Sequence, residues 1–532
     1  MKKLLLIGFL FIPIFSFAQV VSDSTMLKDT LLVTICLILS GVLGFVAQIV
    51  FVNSFGVSGE MDIYFTLLSA PAIITGIAPM IFSSVLIPTF AKFKSNQFEL
   101  NNFIDSIWIF VIVFAILFTL IGFFISFINM DLIIPETQAD LRNTGIQVSL
   151  MVWIGSGFTI MSGYLSAILN YNKQFFKVAW TSLLPASFMI IIVLLFHEKL
   201  GVRSISLGFC IAFMLQFIYF FKASKISLNF FNFNIKKIPY KKLLLKQSFL
   251  VILSLLPFTI LAPIAFFWAS QLETGSVSYL GYSQSFAGFL SVATSMGISM
   301  VSFPELADKF ANEKGESSLY KFEQTLRYVL LLTMFAAGAF IALKIPILTL
   351  FYQRGSFNAK SVNNLASVVP WYLLAAVFVA GLNLLRTLFY SRGEFKHIAR
   401  LGLITPVIFF VLAGVLKENF LFVGIGIAYA LTLAVLFFMT VYLAKKNEVM
   451  FLTNNFLFFI FKNAIAVIIA SFSVNLILPF IFNSTSQLLS IVGCLVIFLF
   501  VYLLSSKFIC RLKEIDEITS LLMIKFKSIN KS

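Results

Sequence analysis

Runs of about twenty apolar residues, separated by short polar connections, recur along the whole chain. A run of that length crosses hydrocarbon as a helix and satisfies its own backbone on the way. The pattern predicts about fourteen such helices, near 31–55, 63–90, 106–129, 146–170, 178–196, 203–221, 248–270, 277–303, 327–350, 364–390, 400–416, 421–444, 455–482 and 487–506. No connection between them is long enough for a separate soluble domain. The expectation is an all-α polytopic membrane protein.

One stretch organises the pattern. From Gly59 to Phe93 a polar turn, G-E-M-D, opens an apolar helix that Pro71 and Pro79 interrupt and Lys92 closes. The prolines free backbone carbonyls and bend the helix, as a fixed kink or as a hinge. The stretch also has an echo. Ser58-Gly59 recurs as Thr274-Gly275, 216 positions on, and Pro88–Phe93 recurs as Pro304–Phe310 with one residue inserted. A third echo pairs Tyr171–Lys177 with Tyr390–Lys396 at an offset of 219. Near-constant offsets imply two copies of one six-helix unit, with lobes at 26–222 and 248–446 and two further helices within 447–510. Parallel repeats of this kind mark transporter folds with the substrate path between the copies.

Composition supports the class. Of 532 residues 60% are hydrophobic and 11% charged, with a mean hydropathy of +1.01, more apolar surface than a soluble domain can bury. The net charge of +16 would suggest nucleic acid on a soluble protein, but here the positions explain it. With the residues before the first helix in the cytoplasm, 26 Lys and Arg fall on inner connections and the tail, against 6 on outer connections. The positive-inside rule then places both termini in the cytoplasm, with the excess charge facing anionic lipid headgroups. Cys36, Cys210, Cys494 and Cys510 lack ligand spacing, and the two histidines, His197 and His397, lie far apart, so no metal site or cofactor is expected. No nucleophile–base pair stands out, which argues against an enzyme.

The flanking segments carry their own signals. Residues 1–25 join Lys2-Lys3 to an apolar run and Ser16-Phe17-Ala18, as a secretory signal does. A cleaved or spanning signal would invert every later connection, so the charge bias favours translation from Met26 or a segment that does not span. The linker at 223–247 belongs to a stretch, Lys222–Gln247, with seven lysines among Phe230, Phe231, Phe233 and Tyr240. It reads as a helix lying on the inner membrane surface, or as a docking site for a cytoplasmic enzyme. The tail, 511–532, spaces Leu512, Ile515, Ile518, Leu522, Phe526 and Ile529 along one face of an amphipathic helix.

Several stretches resemble the MurJ/MviN family of lipid II flippases, within the larger group of multidrug, oligosaccharidyl-lipid and polysaccharide exporters. They are Leu43–Val46, Phe55–Phe65 (F-G-V-S-G-E-M-D-I-Y-F), Gly275–Ser283, Leu350–Ala359 and Leu388–Phe395, in family order through most of the chain. The resemblance implies a cationic central cavity holding a pyrophosphate, and a groove for a lipid tail formed by the last two helices. The chain departs from that pattern. Where the family's first helix reads Ser-Arg-x-x-Gly-Phe-x-Arg-Asp/Glu, this one has Ser40, Gly41, Gly44, Phe45, Ala47 and Gln48. The family's basic residue before the second-helix proline is represented nearby only by Ser69, and Tyr-Ala-Asp-Arg becomes Tyr282-Ser283-Gln284-Ser285. Asp62 is retained.

The candidate substrate-binding residues are therefore Gln48, Asp62, Gln284, Asn383 and Arg386. The amides suit sugar hydroxyls or, equally, hydrogen bonds between helices. Arg386 can grip phosphate with two parallel hydrogen bonds. Like Lys344 and Lys462, it also lies within reach of a membrane surface and can snorkel to it. No mid-membrane acid is available to carry a coupling proton. The expected function is a flippase for an undecaprenyl-pyrophosphate-linked sugar, lipid II or a related envelope-glycan precursor, working as a monomer by alternating access between the lobes. A small-molecule exporter on the same fold, and a non-transporting scaffold that recruits cell-wall synthesis enzymes, are the alternatives.

Overall fold

The computed structural model describes residues 25–93, 97–128, 130, 139–226, 241–291, 316–391, 395–446, 455–482 and 487–517. The expected signal segment, most of the basic linker, the Pro304–Phe310 echo and most of the tail helix lie outside these residues. Among the described residues there is no strand.

The helices are α1 (Thr25–Phe55), α2 (Gly59–Ile81), α3 (Gln97–Ile128), α4 (Ala139–Tyr171), α5 (Leu184–Leu200), α6 (Arg203–Ser224), α7 (Lys241–Thr259), α8 (Leu261–Ala269), α9 (Ser276–Ser291), α10 (Glu316–Ala342), α11 (Lys344–Tyr352), α12 (Ala359–Ser391), α13 (Phe395–Lys446), α14 (Phe456–Phe482) and α15 (Gln487–Leu504). Among the described residues, 11 helices are long and apolar enough to cross a membrane, or 12 if the bent pair α7–α8 counts as one span. The count of fourteen differs for two visible reasons. The spans expected at 400–416 and 421–444 run together as α13, broken only where Leu421 takes φ 51° and ψ −136°. Of the span expected at 277–303, only the part within Ser276–Ser291 is described.

The α7–α8 bend of 44° falls between Pro257 and Pro263. Beyond Pro79, α2 widens into a π-helical turn over Phe82–Leu86 before resuming as Ile87–Ala91. Proline has no N–H to give and its ring crowds the preceding turn, so the ladder loosens near it. Ser83 Oγ donates to the Pro79 carbonyl at 2.8 Å.

The chain forms two compact units. The first comprises Met1–Tyr282, Gly355–Phe357 and Phe395–Ala428. In it α4 packs against α2, α3 and α6, and α5 packs against α1 and α6. Phe90, Trp108, Tyr164 and Leu165 are buried at its centre; Tyr164 donates its hydroxyl to the Ile104 carbonyl at 2.7 Å. The start of α13 is tied to α8, where Trp268 Nε1 donates to the Phe410 carbonyl at 3.1 Å and Lys417 Nζ sits 4.1 Å from the Trp268 ring centroid. The second unit comprises Ser283–Arg354, Asn358–Glu394 and Tyr429–Ser532. There α10 packs on α12, α14 and α15, and Tyr372 stacks on Tyr429 at 4.7 Å.

Small residues set how closely these helices approach, because lipid offers no hydrophobic drive between them. A Cβ at Gly208 of α6 would stand 2.8 Å from the Met189 Cα of α5. Gly208→Ala must therefore push two backbones apart, at a cost of about 1–3 kcal/mol. The expected result is a lower unfolding temperature in detergent micelles. Gly493→Ala, where a Cβ meets nothing within 4 Å, should leave it unchanged.

Candidate functional site

The first turn of α2 gathers the chain around it. Ser58 has extended backbone (φ −146°, ψ 159°) and its hydroxyl accepts from Met61 N at 3.3 Å, which starts the helix. Glu60 and Asp62 follow at once, where the helix dipole favours negative charge. Neither carboxylate stays on its own helix. Glu60 Oε2 accepts from Val202 N at 3.1 Å, one residue before α6 begins. Asp62 accepts from Gly275 N at 2.5 Å, Ser278 N at 2.7 Å and Ser278 Oγ at 2.5 Å, and so caps α9. A helix start leaves orphan N–H donors, and here another helix's carboxylates answer them.

Close backbone contact makes this possible. Gly201 has φ +55°, and a Cβ there would sit 2.8 Å from Glu60 Oε2. Gly275 has φ +97°, and a Cβ there would overlap Val57. Tyr282 donates its hydroxyl to the Gly56 carbonyl at 2.6 Å, and its ring meets Phe65 edge-on at 5.4 Å. A Cβ at Gly281 would lie 2.7 Å from the Phe65 ring. The two pairs that meet here, Asp62 with Ser278 and Phe65 with Gly281, are both separated by 216 positions, the offset of the Ser58/Thr274 echo.

Of the candidate residues, Asp62 thus belongs to a clasp, with both carboxylate oxygens occupied. Gln48 lies on α1 in the same unit. Its Oε1 is buried and has no hydrogen-bond partner among the described residues. One turn earlier, a Cβ at Gly44 would meet nothing within 4 Å, and a further turn back Ser40 Oγ donates to the Ser182 carbonyl at 2.8 Å. The other three lie in the second unit. Gln284 is half-buried on α9, one turn before exposed Gly288, where a Cβ also meets nothing within 4 Å. Asn383 and Arg386 are brought together on α12, with Nη2 donating to Oδ1 at 3.0 Å. Lys462, which can snorkel, holds its Nζ 5.1 Å from the Phe458 ring centroid.

Sequence reasoning missed other polar groups. Glu60 stood inside a quoted motif without a role. Asn463 is fully buried on α14, accepting the Tyr502 hydroxyl at 2.7 Å; its signal was an amide in an otherwise apolar run. Arg327 is the centre of an ion cluster with Glu323 and Glu514. Among the described residues no three His, Cys, Asp or Glu side chains are grouped to hold a metal ion.

Comparison with known proteins places this geometry. The family model described as "Lipid II flippase MurJ" matches residues 51–500. A "Probable lipid II flippase MurJ" of Buchnera aphidicola subsp. Baizongia pistaciae is 25% identical over 355 residues, covering 65% of this chain and 69% of its own. Another with the same description, from Buchnera aphidicola subsp. Acyrthosiphon pisum, is 25% identical over 391 residues, 66% of this chain and 71% of its own. Among solved structures, "Lipid II flippase MurJ, inward closed conformation" superposes with a TM-score of 0.75 at 21% identity, over 90% of this chain and 99% of that one. A multidrug resistance MATE family transporter in an inward-facing conformation reaches 0.58 at 12% identity, over 82% of this chain and 98% of its own. These structures establish a shared fold, and the match over 51–500 establishes descent: the chain belongs to the lipid II flippase MurJ family.

Proposed function

We propose that the protein carries a lipid-linked glycan of the lipid II type across the bacterial inner membrane, alternately exposing a central path to each face. Both termini lie in the cytoplasm on this reading, and the α2 clasp lies at the outer face. The observation that carries it is the meeting of repeat mates. A residue that touches its own counterpart in a duplicated chain lies on the axis relating the copies. Asp62–Ser278 and Phe65–Gly281 do so at one end of their helices, where a path between the copies would be shut on that side. The three hydrogen bonds to Asp62, that from Tyr282 to Gly56 and a ring contact are few enough to break and remake in each cycle.

The interior chemistry supports a ligand rich in hydroxyls and amides. Gln48 Oε1 is a buried acceptor with no donor among the described residues, one turn from Gly44, where a Cβ would meet nothing within 4 Å. Gln284 stands in the same relation to Gly288. Arg386, steadied by Asn383, is the group suited to a phosphate. The cavity arginines that the resemblance implies are replaced by neutral residues, so more of the recognition falls on the sugar and less on the pyrophosphate. That same replacement favours the second reading, a scaffold that transports nothing.

Flux of labelled lipid-linked oligosaccharide in proteoliposomes separates the two, and growth of cells depleted of their own lipid II flippase provides the cellular check. Transport and rescue are expected; a reconstituted protein that moves no such lipid would sink the transport reading. Loss of a charge-assisted bond to phosphate costs about 1.5–3 kcal/mol, so Arg386→Ala should slow flux about ten- to a hundredfold. Asp62→Asn should act differently. It removes the charge that faces three donors and should lower the substrate-free unfolding temperature, by about 1–3 kcal/mol at the clasp. An unchanged melting temperature with weakened substrate binding would instead return Asp62 to the ligand site.

A further inference from the structure

Within α10 a buried ion cluster has no part in the path described above. Arg327 donates through Nε at 2.9 Å and Nη2 at 2.7 Å to Glu323 Oε1, one turn back on α10. Its Nη1 donates at 2.6 Å to Glu514 Oε1, on the segment that follows α15. Glu323 is 2% exposed and Glu514 7%. The guanidinium also lies 5.1 Å from the Phe459 ring centroid and 6.0 Å from that of Phe456, both on α14. One residue on, the Tyr328 hydroxyl donates to Glu517, which also accepts from Gln324 Nε2 at 2.9 Å. One cation therefore joins α10, α14 and the post-α15 segment, and a second set of bonds runs beside it.

The joint continues inward. Asn463 of α14 accepts the Tyr502 hydroxyl of α15 at 2.7 Å and donates to Met334 Sδ of α10 at 3.3 Å. Phe335 of α10 packs against Tyr502 at 4.9 Å and Phe498 at 5.4 Å. A Cβ at Gly338 would overlap Val467 of α14. Three helices are thus zipped together along successive turns, with the ion cluster closing the end. Removing one partner of a buried pair strands the other charge, so the clamp resists opening.

We propose that Arg327 is a positioning residue for transport: it clamps the post-α15 segment to α10, so that α14 and α15 move with α10 as one block. The two helices beyond the repeat would then follow the lobe that contains α10 rather than drift as an appendage. The effect on flux rests on the transport reading above; the clamp itself does not.

Cys510 supplies a probe. It lies four residues before Glu514 and is 4% exposed, so release of the segment uncovers it. In a full-length parent with Cys36, Cys210 and Cys494 replaced by Ala, maleimide labelling is followed in membrane fragments open to both faces. Flux per copy is measured in proteoliposomes. In Arg327→Ala and Glu514→Gln, Cys510 should label about tenfold faster and flux should fall about tenfold, the double variant being no worse than the worse single. Arg327→Lys, which keeps the charge but not the fork, should fall between. Cys510 protected in both variants, or labelled with flux at the parental level, or flux lost with Cys510 still protected, would each overturn the proposal. Glu514→Gln preserves shape and serves if Arg327→Ala fails to accumulate. If the parent itself shows no flux, the transport reading fails, and labelling alone upholds or overturns the clamp.

Discussion

Two carboxylates in one helical turn, each spent on another helix's first N–H groups, hold the first unit in register. The need arises from the solvent. Orphan donors at a helix start are cheap to leave to water and costly to leave buried. Val202 and Gly275, which precede α6 and α9, carry no polar side chain to cap those helices themselves. Glu60 and Asp62 meet the shortfall from outside, and glycines at 201 and 275 let them come close enough. Packing below the clasp, at Phe65, Tyr282 and Gly281, follows from the register it sets.

The broad architecture was legible because a bilayer imposes a simple length rule. Pro71 and Pro79 were legible as a disturbance of α2; its form, a widened turn beyond Pro79, was not. The echo at 216 positions was legible too, but not its meaning in space. Asp62 shows why. An acidic residue next to a helix start looks the same in sequence whether it meets substrate, water or a distant amide. Only the fold brings Ser278 to it. Arg327 gives no local signal of its role for a related reason: it resembles any basic residue of an inner connection. Its partner Glu514 is 187 positions away, beyond the reach of local pattern. The interior amides were legible as polar residues in apolar runs; their surroundings were not.

The two units place their polar interactions differently. In the first, charge meets backbone dipoles; in the second, Arg327 meets carboxylates and aromatic faces outright. Charge–dipole contacts lose less when separated, which suits the opening proposed at the clasp. An arginine bridging two buried glutamates loses far more, which suits a joint that must stay shut. Gln48 in the first unit and Gln284 in the second are neutral amides, which can trade one hydrogen-bond partner for another without stranding a charge.

The widened turn at Phe82–Leu86 does something for α2 that a plain kink would not. An extra residue in one turn advances every later side chain by about 100° around the axis. Above the turn, α2 presents Asp62 and Phe65 to α9; below it, Phe90 faces the α3–α4 core beside Phe103 and Tyr171. The turn acts as a phase shifter, letting a single rod address two neighbours on different bearings, and its slack is what would allow one end to swivel while the other stays anchored.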